Sequence, residues 1–231
     1  MSLRVASYNV RSLRDDVGAL VRVIRAIEPD VLCLQEAPTG LRWRRGRDRL
    51  AERVGMTVVA GRRKGGLAIL AGPGVRAVHA EYHLLSPRPR LQRRALAIAV
   101  VDKDGRRAAV GCVHLDLSAT ARLEHVAEIE EHMAWVRDRF GVPDALAGDF
   151  NEEPTGAAWR RLTRRYTDCF AAAPDGHGGT FTARHPAKRI DAIFAGPGLA
   201  VRSCGVPQAD PADLAVATDH LPVQADLLFP A

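Results

Sequence analysis

The chain has 231 residues, of which 47% are hydrophobic and 26% charged, with a formal net charge of +6. That is enough apolar material for a sizeable core, and the absence of low-complexity tracts excludes a disordered chain. No apolar run approaches the ~20 residues of a membrane span. Arg4–Tyr8 alternates in polarity and predicts a strand that ends at Asn9. Apolar residues at 17, 20, 21, 24 and 27 predict a helix over Val17–Ile27, with Asp15 or Asp16 placed to cap it. Val31–Gln35 is a short continuous apolar run, as in a strand covered on both faces. A short helix over Asp48–Val54 follows. Strands are then predicted at Thr57–Ala60, Leu67–Ala71, Arg76–Leu84, Ala95–Val101 and Ala108–Val113, with Asp102–Gly105 as a hairpin turn. Thr120–Phe140 reads as the longest helix, with Val126, Ile129, Met133 and Val136 on its apolar face and Gly141 ending it. Asp144–Ala147 is a strand leading into Gly148-Asp149-Phe150-Asn151. A helix over Ala157–Tyr166 and strands at Arg189–Phe194, Ala200–Cys204 and Val223–Leu228 complete the chain. With no internal repeat, linker, Walker loop or G-x-G-x-x-G, residues 1–231 read as one domain. The pattern is a sheet-rich α/β sandwich rather than a doubly wound sheet.

Charge is unevenly placed. Residues 1–115 carry 22 Lys/Arg and 10 Asp/Glu, a net of +12, and residues 116–231 carry 11 and 17, a net of −6. Between Arg42 and Lys64 alone the net is +7, from nine basic and two acidic residues. Such a cluster attracts a polyanion. Only three of the 33 basic residues are lysine, however, and a high-GC coding bias would give the same skew. The four cysteines, at 33, 112, 169 and 204, form no C-x-x-C pair. Cys33 and Cys112 lie in apolar runs and read as buried thiols, favouring a reducing, cytoplasmic compartment. No basic-then-apolar leader opens the sequence, and Met1-Ser2-Leu3 leaves a trimmed signal open.

Polar residues recur at the ends of the apolar strands. Asn9 ends the first and Glu36 follows the second; His114 and Asp116 follow Ala108–Val113. Asp149 and Asn151 follow Asp144–Ala147, Asp191 opens IDAIF, and Asp219-His220 precedes the last strand. Singly, each is explained as a turn cap or an ordinary surface or core histidine. Massed together they gain no stability, because like charges repel and burial of charge is costly. Such an oxygen-rich, thiolate-free set suits Mg²⁺ or Mn²⁺ better than zinc.

The ordered set YNV, QEA, HLD, GDFN, RIDAIF and TDHLP resembles the endonuclease/exonuclease/phosphatase superfamily of metal-dependent phosphoesterases, from Arg4 to about Leu228. The superfamily includes deoxyribonucleases, abasic-site endonucleases, inositol polyphosphate 5-phosphatases, sphingomyelinases and deadenylases. The resemblance implies an α/β (α+β) four-layered sandwich of two packed, mostly antiparallel sheets flanked by helices, with the site at one rim. It implies that Glu36 is the principal carboxylate on the divalent ion, with Asn9 and Asp219 nearby. It implies that Asp149 orients or deprotonates the attacking water and that Asn151 donates to a phosphate oxygen. His220 would sit beside the scissile phosphate, held by Asp191. His114 would steady a phosphate oxygen or protonate the leaving group. Whether His220 or Asp149 is the formal base stays open. Tyr8 stands where the family often has Trp, and Thr218 where Ser is commoner.

An Arg shortly after the GDFN core and a P-x-W-x-D-R motif, usual in the inositol phosphatases, are absent, and no apolar loop points to a membrane lipid. A nucleic-acid phosphodiester is the expected substrate. Arg42, Trp43, Arg44 and Arg45 would contact it through phosphates and one stacked base. A small soluble phosphate ester is the alternative, and a non-catalytic nucleic-acid-binding module is the reading from another class. Neither a membrane nor a protein partner is implied, and the chain is expected to be monomeric.

Overall fold

The computed structural model describes residues 1–230. In chain order the elements are β1 (Ser2–Asn9), α1 (Val17–Ile27), β2 (Val31–Gln35), α2 (Trp43–Val54), β3 (Thr57–Arg62) and β4 (Leu67–Ala71). Next come β5 (Val75–Leu84), β6 (Ala95–Lys103), β7 (Arg106–His114), α3 (Ala119–Phe140) and β8 (Asp144–Asp149). The remainder are α4 (Ala157–Leu162), β9 (Thr167–Asp168), α5 (Cys169–Ala172), β10 (Asp191–Ala195), β11 (Ala200–Gly205), α6 (Pro211–Ala217) and β12 (Val223–Leu228). They form two six-stranded sheets, ordered β11-β12-β1-β2-β4-β3 and β5-β6-β7-β8-β10-β9. Only β1 with β2 and β7 with β8 pair in parallel, so the sheets are mostly antiparallel, as expected.

Three apolar layers stack the molecule. One lies between the sheets and is rich in small residues, Ala97, Ala99, Ala145, Ala147 and Ala225 among them. A second fills the space between the β5–β9 sheet and α3 with α4, through Ile98, Met133, Leu146, Trp159 and Phe194. The third joins the other sheet to α1 and α2 through Tyr8, Leu20, Ile24, Leu34 and Leu50. Alternate strand residues face opposite layers. This is the sandwich of four layers, with both sheets covered on both faces.

Local signals explain most boundaries. Asp16 caps α1 by accepting from the Ala19 N–H at 2.9 Å. Asp104 and Gly105, at φ 49° and 78°, make the two-residue turn between β6 and β7. Gly141 at φ 60° closes α3. The helix placed at Asp48–Val54 begins earlier, at Trp43, because nothing in Trp43–Arg47 interrupts it except Gly46, seated against Pro38. The helix predicted to reach Tyr166 ends at Leu162, and the strand predicted from Arg189 starts at Asp191. The short α6 escaped the periodicity, although Asp210 and Pro211 supply a helix start.

Gly148, in β8 beside the site, is a steric necessity. A Cβ there would stand 2.1 Å from the Val113 carbonyl oxygen across the β7–β8 pair. Gly148→Ala is expected to cost about 3 kcal/mol, because backbone, not a flexible side chain, must yield. The urea unfolding midpoint is the measurement.

Candidate active site

The site is the interior between the sheets turned polar at one rim. Along β1 the inward file runs Leu3, Val5, Ser7, Asn9, and along β2 Val31, Cys33, Gln35. Along β7 it runs Val110, Cys112, His114, along β8 Ala145, Ala147, Asp149, and along β10 backwards Ala195, Ile193, Asp191. Register aligns these ends. His114 pairs with Asp149 across β7 and β8, Asp191 pairs with Asp149 across β8 and β10, and Asn9 pairs with Gln35 next to Glu36. Two of the residues leave their strands with strained backbones. Glu36 and Asn151 have φ of 48° and 49°, a left-handed conformation that costs a non-glycine residue about 1 kcal/mol.

Hydrogen bonds converge on Asp149, which is almost completely buried. Asn9 Nδ2 donates to Asp149 Oδ2 at 3.0 Å and to Glu36 Oε1 at 3.3 Å, so one amide ties the two sheets' carboxylates together. The Asn151 N–H donates to Asp149 Oδ1 at 2.9 Å, while Asn151 Nδ2 donates to the Leu115 carbonyl. His114 Nε2 lies 3.4 Å and His220 Nε2 3.8 Å from Asp149 Oδ2. On its other side His220 Nδ1 is 2.9 Å from Asp191 Oδ2, and the Phe181 ring covers the imidazole at a centroid distance of 4.9 Å. Thr180, fully buried, fixes the start of β10 by accepting from the Ile190 and Asp191 N–H groups.

The electrostatics split the two histidines. Burial pulls His114 down to about 4, with Asp149 only partly offsetting it, so this imidazole is neutral at pH 7. Burial opposes charge on His220 too, but Asp191, Asp149 and Asp219 outweigh it and hold the ring up at about 9. Burial, and then the neighbouring Asp191, raise Asp149 above the ordinary carboxylate range.

A divalent cation held by Glu36 and Asn9 fits beside this concentration of negative charge. Asp149, Asp191 and His220 each bring a ligand atom within 4.8 Å of the others. Asp191 Oδ1 is buried without a hydrogen-bond partner, and two adjacent buried carboxylates are relieved by a nearby positive charge.

Of the residues expected in the site, Asn9, Glu36, His114, Asp149, Asn151, Asp191 and His220 gather at this rim. Asp219 acts on His220 electrostatically, but its carboxylate pairs with Arg11 at 3.3 Å and lines a neighbouring cavity with Asp15, Asp16 and His185. Arg42, Trp43, Arg44 and Arg45 do not join the set. Trp43 and Arg44 line a separate cavity with Arg62, Arg63, Lys64 and Tyr82, at the start of α2, with Arg44 and Arg47 over the Trp43 ring. The cleft of about 460 Å³ that opens onto Glu36 and His114 is lined instead by Ser12, Arg14, Gln92, Arg93 and Arg94. Arg93 and Arg94 were legible as part of the basic Arg88–Arg94 run; Arg14 and Ser12 carried no signal. Arg94 is buried with Nε 3.5 Å from Asp116 Oδ2, while Asp116 Oδ1 accepts from the Ser118 N–H. Asp116 therefore both orders the turn before α3 and faces the cleft's arginine. Glu152, buried against Arg122 and accepting from the Trp159 N–H, anchors the loop after β8.

The solved structures include close likenesses of fold. A mannosyl-6-phosphatase from Bacteroides thetaiotaomicron superposes with a TM-score of 0.83 at 22% identity, covering 99% of this chain and 100% of that one. The human Nocturnin catalytic domain gives 0.75 at 18% identity over 99% and 95%. TDP2 from C. elegans gives 0.74 at 19% over 100% and 76%. No curated protein matches the sequence. Among the described residues, no helix is long and apolar enough to cross a membrane. A family model, by contrast, matches residues 6–220, nearly the whole two-sheet sandwich and every strand end that builds the site: the chain belongs to the Endonuclease/Exonuclease/phosphatase family.

Proposed function

We propose that this phosphoesterase hydrolyses a phosphodiester of a nucleic acid by in-line attack of water. The observation that carries the reading is the placement of Arg14, Arg93 and Arg94 in the cleft onto which Glu36 and His114 open. Beyond the β3–β4 turn, whose Gly65 and Gly66 line that cleft, Arg62–Lys64 continue into the Trp43 cavity. A polyanion longer than one phosphate is accommodated by such a path.

Glu36 with Asn9 beside it would hold Mg²⁺ or Mn²⁺, and Asp219 would join once freed from Arg11. The bound ion supplies neutralisation of phosphate oxygens as charge builds on them. Asp149, gripped by Asn9 and Asn151, orients water and takes its proton. The His220 imidazolium, held by Asp191, stabilises the charge developing on phosphorus-bound oxygen, and the Asn151 amide donates to the same group. Neutral His114 stands ready to hydrogen-bond the leaving oxygen. The gathering of Asn9, Glu36, His114, Asp149, Asn151, Asp191 and His220 at one rim makes a non-catalytic binding module the weaker reading. A small phosphate ester is the second reading, supported by the likeness to a mannosyl-6-phosphatase.

The deciding experiment offers single- and double-stranded DNA, an abasic duplex, RNA, and mono- and bis-aryl phosphates with Mg²⁺, Mn²⁺ or chelator. Cleavage of a polynucleotide, abolished by chelator, is expected. Arg93→Ala should raise KM about tenfold and reduce its salt dependence. Turnover of small esters alone would overturn the nuclease reading.

A further inference from the structure

The cavity at the start of α2, of about 560 Å³, has four cations and no carboxylate in its lining. Among the described residues, Arg4, Arg22, Arg107, Arg161 and Arg189 each pair with a carboxylate at 2.6–3.0 Å, whereas Arg44, Arg62 and Lys64 pair with none. A coding bias towards arginine does not sort unpaired cations onto one surface. Trp43 stands half-buried among them. Arg47, held by Asp48 at 2.8 Å and donating to the Gly61 carbonyl, lies 4.9 Å from the centre of its ring. Arg44 lies 5.2 Å from the ring centre and is exposed. Tyr82, whose hydroxyl donates to the Lys64 carbonyl, and the 40% exposed Leu84 add apolar walls. Lys64 lines this cavity and the next residue, Gly65, lines the catalytic cleft. Consecutive Cα atoms are about 3.8 Å apart, so the two openings share one wall. Gly66 in that wall accepts from the Ala37 N–H at 2.8 Å, beside Glu36.

Resting on the nucleic-acid reading above, we infer that this cavity is a base-stacking subsite, which makes the preferred substrate a single strand. An unpaired base takes the place of Arg44 on the Trp43 indole, Arg44 moves to a phosphate, and Arg62 and Lys64 hold the backbone on its way to the cleft. Arg47 stays against the ring and keeps it fixed. A duplex cannot use the subsite, because each of its bases is already covered by stacked neighbours. The helix itself gains nothing from these residues. Arg44 and Arg45 stand in the first turn of α2, where cations oppose the helix dipole and no acidic residue offsets them.

Fluorescence anisotropy in chelator, where no strand is cut, tests this with a labelled oligothymidylate of about 12 nucleotides, its duplex, and an abasic strand of equal length. Wild type is expected to bind the base-bearing strand about tenfold more tightly than either of the others, with quenching of tryptophan emission. Trp43→Ala should bind the base-bearing and abasic strands alike. Trp43→Phe should keep the preference without the quenching, so the test stands even if the alanine variant folds poorly. Lys64→Ala should weaken both strands equally and lower the salt slope by about one. Equal wild-type affinity for base-bearing and abasic strands would overturn the inference. So would a duplex bound as tightly as the single strand, or a base preference that survives in Trp43→Ala. Strand binding through Trp43 with no cleavage in Mg²⁺ would leave the subsite standing and overturn the nuclease reading, whereas strand cleavage and binding indifferent to Trp43 would overturn the subsite alone.

Discussion

Asp149→Ala is expected to lower kcat by about 10³-fold or more while the protein stays folded. In the proposed mechanism this carboxylate is the group that meets the attacking water, and loss of a positioned acid or base costs roughly 10²–10⁴-fold. It is also the node of the site. Asn9 and Asn151 both donate to it, and both histidines face it, so its removal frees all four at once. The effect on stability should run the other way. Burial and Asp191 push the Asp149 carboxyl up, which means the folded state holds this charge at a cost. In chelator the variant's thermal midpoint is expected to rise, by about 2–4 °C for each kcal/mol relieved. Single-turnover cleavage and thermal unfolding of the two proteins give both readouts. Undiminished turnover would remove Asp149 from the chemistry, and a midpoint lower by several degrees would make it a structural residue.

How much of this was legible follows from the range of the signals. The strand ends were readable because a period of two brings an inward file to its last residue whatever the tertiary contacts, and Ala145, Ala147, Asp149 is such a file. The pairing of His220 with Asp191 came from the family resemblance, and the 2.9 Å contact agrees with it. What was not legible depends on loops. Arg14 reaches the cleft through a turn in which Arg11, Ser12 and Leu13 are all left-handed, a conformation no propensity favours for those residues. Phe181 covers His220 from a segment without periodicity. The surroundings of Trp43 were hidden for the same reason. Trp43 follows Glu36 by seven residues, but α2 begins at Trp43 and the helix carries the aromatic–arginine group into a different cavity.

Asp191→Asn is expected to move the alkaline limb of the pH–kcat profile from near 9 towards the ordinary imidazole range of about 6.5. His220 is held up against its own burial chiefly by this carboxylate, through charge and through the hydrogen bond at 2.9 Å. If the imidazolium is the working form, wild type retains it below about pH 9, whereas the variant loses it about 2.5 pH units earlier. At pH 8 that corresponds to a roughly 30-fold fall in kcat, shrinking to little at pH 5.5. A merely structural contribution would lower the whole profile without shifting its limb. The linked stability has the same sign. A histidine raised in the folded state contributes stability below its unfolded pKa of about 6.5, and that contribution is lost as pH rises through about 9. Between pH 6.5 and 9 the wild-type unfolding free energy should therefore decline from this source, and the variant's should be flatter. Profiles of kcat and of urea midpoint over pH 5–10 test the pair together. A limb that stays near 9 in Asp191→Asn would mean that Asp149 and Asp219 suffice to hold the proton, and would move Asp191 from governing the charge of His220 to orienting its ring.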